Sequence, residues 1–252
     1  MVNFGKFDTF IFDLDGTLWN YPNLIPGVAK IIKLLEDNGK QRLYVSNFNL
    51  LSRRGALNHL RSLGVMARLE ELITSAYAVA EYLKGRKGKV MAFGHGINQE
   101  LMDNGIKVSN TLPVDYLVVG HDINFNYQKL SLALEAMRKG AKLLVPSFGP
   151  LWPAYGKLLP GTGALVEPIE TISGKKATLL GKPSEFMRKL IDANRRSPRS
   201  KTVLFGDEAD SDIAIGKRSG YFTVLVKTGV DKRIGKIKPN AVINSVADIR
   251  LQ

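Results

Sequence analysis

From residue 9 to residue 18 the chain reads Thr-Phe-Ile-Phe-Asp-Leu-Asp-Gly-Thr-Leu, an apolar run that delivers two carboxylates, Asp13 and Asp15, and then a glycine. A carboxylate at such a place can attack an electrophile or hold a metal. Phe10, Ile11 and Phe12 form a continuous β-prone run, as expected of a strand buried on both faces in a parallel sheet covered by helices. Ligands of those sheets gather beyond the carboxyl ends of the strands, so Asp13 is expected to be the first side chain to reach open space. Asp15 follows where the chain leaves the strand, and Gly16 permits a turn that brings backbone N–H groups towards an anion. A strand closed by an Asp-Gly turn without any chemistry accounts for the same residues. A calcium loop does not, because its glycine and its glutamate would fall on Leu18 and Leu24.

Three other apolar runs end on residues able to join those carboxylates. Leu43, Tyr44 and Val45 precede Ser46 and Asn47, whose hydroxyl and amide suit either an anion or a helix cap. Residues 178–180 precede Gly181-Lys182-Pro183-Ser184, where a lysine facing carboxylates would hold their phosphate partner; a surface lysine ahead of a helix reads the same way. Val203, Leu204 and Phe205 lead into Gly206-Asp207 and on to Asp212. Acids there could bind a metal, and a helix dipole favours acids in a first turn in any case. Each stretch alone is ordinary; the four together, all at strand ends, point to one site.

To converge, these stretches need an alternation of strands and helices. Val28, Ile31, Ile32 and Leu35 recur at helical spacing, with Pro26 suited to the first helical position and Gly39 as the stop. A strand, helix and strand in this order make a right-handed crossover, which brings Ser46 to the same sheet edge as Asp13. Helices are expected at residues 50–63 and 74–83. From Lys89 the alternation restarts, with strands at 90–93, 116–119 and 143–145 and helices at 98–103 and 127–138. In this middle section Asp122 is the one obvious carboxylate at a strand end. Residues 147–163, rich in proline, glycine and aromatics and including Phe148, Trp152 and Tyr155, read as a long loop. The third section supplies core strands at 178–180, 203–205 and 221–226, helices at 185–193 and around Ile213 to Ile215, and a final strand and helix within 241–249. The expected organisation is a discontinuous core, residues 1–76 and 178–252, with residues 77–177 inserted as a smaller α/β unit.

Composition limits the alternatives. In 252 residues, 44% hydrophobic content supports a substantial core, and no apolar run reaches the length of a membrane span. The N-terminus runs directly into a strand without the features of a secretion signal, so a cytoplasmic protein is expected. The absence of cysteine excludes disulfides, thiolate zinc sites and cysteine nucleophiles, and three scattered histidines disfavour a histidine metal centre. Lysine and arginine exceed acids by 36 to 23, with clusters at residues 84–89, 195–201 and 227–238. Such an excess can attract a phosphorylated substrate or a nucleic acid; a solvated surface explains it more simply, and no interleaved aromatics indicate a single-strand groove. No Gly-x-Ser-x-Gly elbow occurs, residues 229–236 have the wrong spacing for a nucleotide P-loop, and Gly161-Thr-Gly163 lacks the third glycine of a dinucleotide site.

The set Asp13-Leu-Asp15-Gly-Thr, Ser46-Asn47, Gly181-Lys182-Pro-Ser and Gly206-Asp207 through Ser211-Asp212 resembles the four motifs of the haloacid dehalogenase superfamily of phosphotransferases. More narrowly it is similar to the NagD and 4-nitrophenylphosphatase-like branch, which carries a large α/β cap between the second and third motifs. Further matches are Ile25-Pro-Gly-Val, Val119-Gly-His-Asp122, Tyr127-Gln-Lys-Leu130, Pro160-Gly-Thr-Gly-Ala164 and Lys227-Thr-Gly-Val230. The resemblance implies a Rossmann-like parallel-sheet core with helices on both faces, a cap, and hydrolysis of a phosphate monoester through an aspartyl-phosphate. It assigns Asp13 as nucleophile, Asp15 as general acid and base, Ser46, Asn47 and Lys182 as phosphate contacts, and Asp13, Asp15, Asp207 and Asp212 as the Mg²⁺ site. Relatives recognise substrates through the cap, so Asp122, Phe148, Trp152 and Tyr155 are the candidate specificity residues. Where relatives carry Thr-Asn-X-Asp after a cap strand, this chain has Pro146-Ser-Phe-Gly149, which leaves the substrate unassigned. The expected partner is a small phosphorylated metabolite, with a second copy of the chain admissible. The same intermediate would also serve a phosphotransferase or phosphomutase, and a non-catalytic anion-binding module is the reading from another class.

Overall fold

The computed structural model describes residues 2–229 and 236–252. The basic run at 227–238 and the match ending at Val230 therefore lie partly outside the described residues. The chain opens with the strand Thr9–Phe12 (β1), then a small hairpin of Trp19–Asn20 (β2) and Asn23–Leu24 (β3). Helix Val28–Asp37 (α1), strand Gln41–Ser46 (β4), helix Arg53–Ser62 (α2), strand Leu72–Thr74 (β5) and helix Ser75–Leu83 (α3) follow. The inserted section runs through Val90–Phe93 (β6), His95–Asp103 (α4), Tyr116–Val119 (β7), Tyr127–Arg138 (α5) and Lys142–Val145 (β8). It continues with a hairpin of Leu151–Ala154 (β9) and Lys157–Pro160 (β10), then Thr162–Ser173 (α6) and Thr178–Leu179 (β11). The chain ends with Glu185–Asn194 (α7), Thr202–Gly206 (β12), Ala214–Ser219 (α8), Phe222–Val226 (β13) and Ala241–Ile243 (β14).

Six parallel strands form the larger sheet in the order β14-β13-β12-β1-β4-β5. The chain builds outward from β1 in one direction and then in the other, so β1 sits at the topological switch point where open α/β sheets bind ligands. Successive side chains of a strand point to opposite faces, and β1 exploits both. Phe10 and Phe12 pack with Phe205 and Tyr44 among residues of α1 and α2, whereas Ile11 lies with Leu43, Val45 and Leu204 against residues of α7 and α8. Helices thus cover both faces, and the strand's continuous apolar run follows from that double burial.

The smaller sheet, also parallel, has the order β11-β8-β7-β6. Met91, Leu117 and Leu143 face residues of α5 and α6, and Val90, Val118 and Leu144 face residues of α3 and α4. Among the described residues no helix is long and apolar enough to cross a membrane.

Several local expectations are corrected. Pro26 does not start α1, because Gly27, in the left-handed region at φ 84°, is the cap and Val28 the first helical residue. The helix expected at 50–63 starts only at Arg53, where the Ser52 hydroxyl accepts the Gly55 N–H and ends the preceding loop. α4 starts at His95 rather than 98. The expected loop at 147–163 contains the β9–β10 hairpin and the start of α6, a helix hidden from the sequence pattern by Pro168 in its interior. The strand before Lys182 pairs with β8 of the smaller sheet and not with the core, so a boundary drawn at 177 separates β11 from its own sheet. Two residues are too few to carry a pattern that names a partner. The closing helix of the 241–249 segment is a single 3₁₀ turn, Val246–Asp248.

Candidate active site

At the carboxyl end of β1 the Asp13 N–H still donates to Phe205 O at 2.9 Å, the last rung before the strands part. Its side chain emerges into a cleft of about 110 Å³ between the two sheets' units. The same cleft is lined by Asp15, Ser46, Asn47, Lys182, Asp207, Asp212 and Trp152. Residues separated by nearly two hundred positions in the chain meet here because β1, β4 and β12 are parallel neighbours that open towards the same edge.

Lys182 organises the centre. Its Nζ donates to Asp13 Oδ1 at 2.5 Å, Asp212 Oδ1 at 2.6 Å and Val45 O at 2.9 Å, which occupies all three ammonium donors. A phosphate oxygen that reaches Lys182 must share or replace one of these bonds. Burial alone would favour the neutral amine, yet the carboxylates of Asp13 and Asp212 outweigh it and hold the group protonated well above the ordinary lysine range. For Asp13 the balance goes the other way. Burial raises its pKa well above the usual carboxylate value, Lys182 opposes this, and Asp212, Asp207 and Asp15 push it higher still. Among the described residues Asp13 Oδ2 takes no hydrogen bond.

Oxygens of Asp13, Asp207 and Asp212 lie within 4.8 Å of one another, and all three residues are buried. Three converging carboxylates with one lysine leave an excess of negative charge that a hard cation would neutralise, and an all-oxygen donor set suits such an ion. Asp212 stands in a π-helical turn, Ala209–Ile213, with its Oδ2 accepting the Glu208 N–H at 3.1 Å. Asp207 is walled in by glycines. A Cβ on Gly16 would meet Asp207 Oδ2 at 2.3 Å, and one on Gly229 would meet it at 1.8 Å. Gly16 also has φ 71°, and its N–H donates to Trp19 O at 2.8 Å, so that amide supports the turn and does not face an anion as expected. Gly16→Ala should cost about 1–2 kcal/mol of stability through its left-handed backbone. It should also weaken divalent-cation affinity by displacing Asp207. Thermal unfolding with and without Mg²⁺ would measure both, and an unchanged cation-induced shift would refute the second.

Asp15 is half-buried, and desolvation lifts its pKa to about 6; the indoles of Trp19 and of Trp152, whose N–H lies 3.4 Å from Asp15 Oδ1, pull in the opposite direction. Ser46 Oγ accepts the Phe48 N–H and keeps its own proton to donate. The Asn47 side chain is turned to another task. Its Nδ2 donates to Lys182 O at 3.0 Å and its Oδ1 accepts the Lys182 N–H at 2.8 Å, which clamps the loop that presents the lysine. Gly181 makes this approach possible, since a Cβ there would lie 2.4 Å from Asn47 Oδ1.

Of the four candidate specificity residues only Trp152 lines the cleft. Asp122 is consumed locally, with Oδ2 paired to Lys129 Nζ at 2.6 Å and Oδ1 accepting the Asn124 N–H in an Asx-type turn. Phe148 and Tyr155 are exposed and lie outside the cleft lining. Sequence reasoning missed Asn49, His121 and Thr162. Asn49 Oδ1 accepts the His121 N–H at 2.5 Å and its Nδ2 reaches Thr162 Oγ1 at 3.3 Å, so one amide joins the β4 loop to two segments of the inserted unit. The His121 ring packs edge-on against Trp152 at 4.6 Å, and burial lowers its pKa, favouring neutral imidazole. His121 follows β7 as Asp13 follows β1, a signal that the strand-end rule could have caught.

Residues 10–107 match the family model of the haloacid dehalogenase-like hydrolases, and residues 179–249 match a second, HAD-hydrolase-like model. An acid sugar phosphatase of Staphylococcus epidermidis is 32% identical over 228 residues, covering 89% of this chain and 88% of the relative. A 4-nitrophenylphosphatase of Schizosaccharomyces pombe is 33% identical over 255 residues, covering 90% and 86%. Among solved structures, NagD from Escherichia coli K-12 superposes with a TM-score of 0.85 at 26% identity, covering 98% of this chain and 99% of that one.

Proposed function

Because the chain belongs to the haloacid dehalogenase-like hydrolases and is a phosphatase, we propose that it hydrolyses small phosphate monoesters in two steps with Asp13 as the nucleophile. The observation that carries this reading is the buried arrangement of Lys182 between Asp13 and Asp212 beside Asp207, at the end of the switch-point strand. Asp13 Oδ2 attacks phosphorus, the ester P–O bond breaks, and the leaving oxygen takes the proton of Asp15. The ionised Asp15 then removes a proton from water, whose oxygen attacks the aspartyl-phosphate, releasing phosphate and restoring Asp13. Ser46 Oγ and the Asn47 backbone N–H would donate to the phosphoryl oxygens.

Asp13, the Asp15 carbonyl and Asp207 would hold Mg²⁺, with Asp212 behind them, and the ion when bound supplies the positive charge that lets a carboxylate approach a phosphate dianion. Lys182 contributes the resident share of that charge. The cleft is small, and the substrate is taken to be a small phosphorylated metabolite of the sugar phosphate, phosphoglycolate or nucleotide monophosphate class. The relatives, an acid sugar phosphatase and a 4-nitrophenylphosphatase, are named for small substrates.

The test is phosphate release from 4-nitrophenyl phosphate with Mg²⁺, after chelation, and after Mg²⁺ is restored. Turnover should vanish on chelation and return with the ion; no release in the presence of Mg²⁺ would remove the proposal. A second expectation concerns pH. With the Asp15 pKa raised to about 6, the acid form that protonates the leaving group dominates below that value and is lost above it. The kcat/KM for an alkyl phosphate should therefore decline as pH rises through about 6. In Trp152→Phe, which lacks one of the two indole N–H groups that pull the pKa down, the decline should move to higher pH. A pH–rate profile unmoved by that substitution would contradict the Trp152 contact.

A further inference from the structure

Tyr155 sits at a place where its residue type is a poor local choice. Lys157 pairs with Ala154, so Tyr155 and Gly156 form a two-residue hairpin turn, with φ values of 54° and 69°. Two positive φ angles define the turn that Asn-Gly sequences prefer, and an aromatic residue in the first place is a backbone outlier. Tyr155 is the one non-glycine residue with positive φ among the described residues. Its ring is not buried in compensation, being 57% exposed. An outlier held by contacts elsewhere invites a functional explanation.

The contacts lead to the core. The Tyr155 N–H donates to Tyr21 O at 2.9 Å, across from the tip of the cap hairpin to the tip of the β2–β3 hairpin that follows Asp15. The Tyr155 ring meets Tyr21 edge-on at 5.6 Å and Trp152 edge-on at 6.2 Å, and Tyr21 itself packs on Trp152 at 5.7 Å. Trp152, braced by this group and by Phe48 and His121, directs its indole N–H at Asp15 Oδ1.

We infer that Tyr155 is a positioning residue: it clasps the cap hairpin to the core hairpin and so holds Trp152 against Asp15, fixing the direction in which Asp15 offers its proton. This deepens the proposed reaction and rests on it. It also has a signature of its own, because a leaving group that departs easily as an anion needs little from the general acid. The contribution of Tyr155 must then be larger for an alkyl phosphate than for 4-nitrophenyl phosphate.

Tyr155→Asn is the informative variant, since asparagine suits the turn and folding should be retained. Its kcat on glycerol phosphate should fall on the order of ten- to a hundredfold, the scale of a displaced catalytic group, with a much smaller fall on 4-nitrophenyl phosphate. Hydrogen exchange at residues 151–160 and 19–24 should quicken in the same variant, and Tyr155→Phe, which keeps the ring, should restore both measurements. Trp152→Phe should reproduce the selective loss on glycerol phosphate without altering exchange at residue 155. Equal losses on the two esters, or unchanged exchange in Tyr155→Asn, overturn the inference. Should the unmodified protein with Mg²⁺ release phosphate from neither ester, the phosphatase reading fails, and the exchange comparison still decides whether the clasp exists.

Discussion

Asp13→Asn should reduce turnover of 4-nitrophenyl phosphate by roughly 10⁵–10⁶-fold, the scale on which removal of a covalent nucleophile acts. The amide has the shape of the acid and lacks the charge and basicity needed to attack phosphorus. The size of the loss is plausible because uncatalysed monoester hydrolysis is so slow that enhancements approach ~10²¹. Folding should survive. Burial already raises the Asp13 pKa well above the carboxylate range, so the folded site resists ionisation there, and a neutral isostere relieves that resistance. Unfolding without added metal should therefore be unchanged or slightly later, while the stabilisation produced by Mg²⁺ should shrink because one ligand has lost its charge. Retention of more than a small fraction of the activity would remove Asp13 from the role of nucleophile.

Lys182→Met should be the substitution with the greatest structural cost. The lysine is 3% exposed and is shared between two carboxylates, so its removal leaves Asp13 and Asp212 facing each other without their cation. Breaking a buried ion pair from one side costs about 3–5 kcal/mol. The sign of the pH dependence follows from the carboxylates. The folded-state pKa of Asp13, already raised by burial, rises further once the lysine is gone, so acid relieves the repulsion by protonating it, and the deficit relative to the unmodified protein grows as pH increases. Denaturant unfolding at a series of pH values should show the gap narrowing towards acid, with Mg²⁺ closing part of it near neutrality. A deficit that did not depend on pH or Mg²⁺ would mean that the methionine packs badly and that charge is not the cause. Turnover should be lost in either case, since Lys182 Nζ bonds Asp13 directly.

The candidate-site residues stand out because apolar runs deliver them. Asp13 after β1, Ser46 at the end of β4 and Asp207 after β12 lie where a buried parallel strand stops, and the sheet carries them to one edge. Lys182 was found by the same rule although its strand belongs to the other sheet; Asn47 compensates by binding the lysine's backbone on both sides and drawing the loop inward. The cap was less legible. Asp122 looked like Asp13 in pattern but has a lysine seven residues on in the following helix and a turn amide of its own. Asn49 carries no chemical pattern of its own, and it matters because its amide joins the core to His121 and Thr162 of the cap.

By itself the order of amino acids determined the local alternation of strand and helix and the polar residue that each strand delivers, since periodicity and strand ends are properties of neighbours along the chain. Tertiary structure decided which sheet β11 joins, that residues 151–160 form a hairpin, and that Trp152 faces Asp15 while Tyr155 grips Tyr21. The last two depend on how the cap meets the core, and contacts between residues more than a hundred positions apart leave no trace in the spacing of either partner.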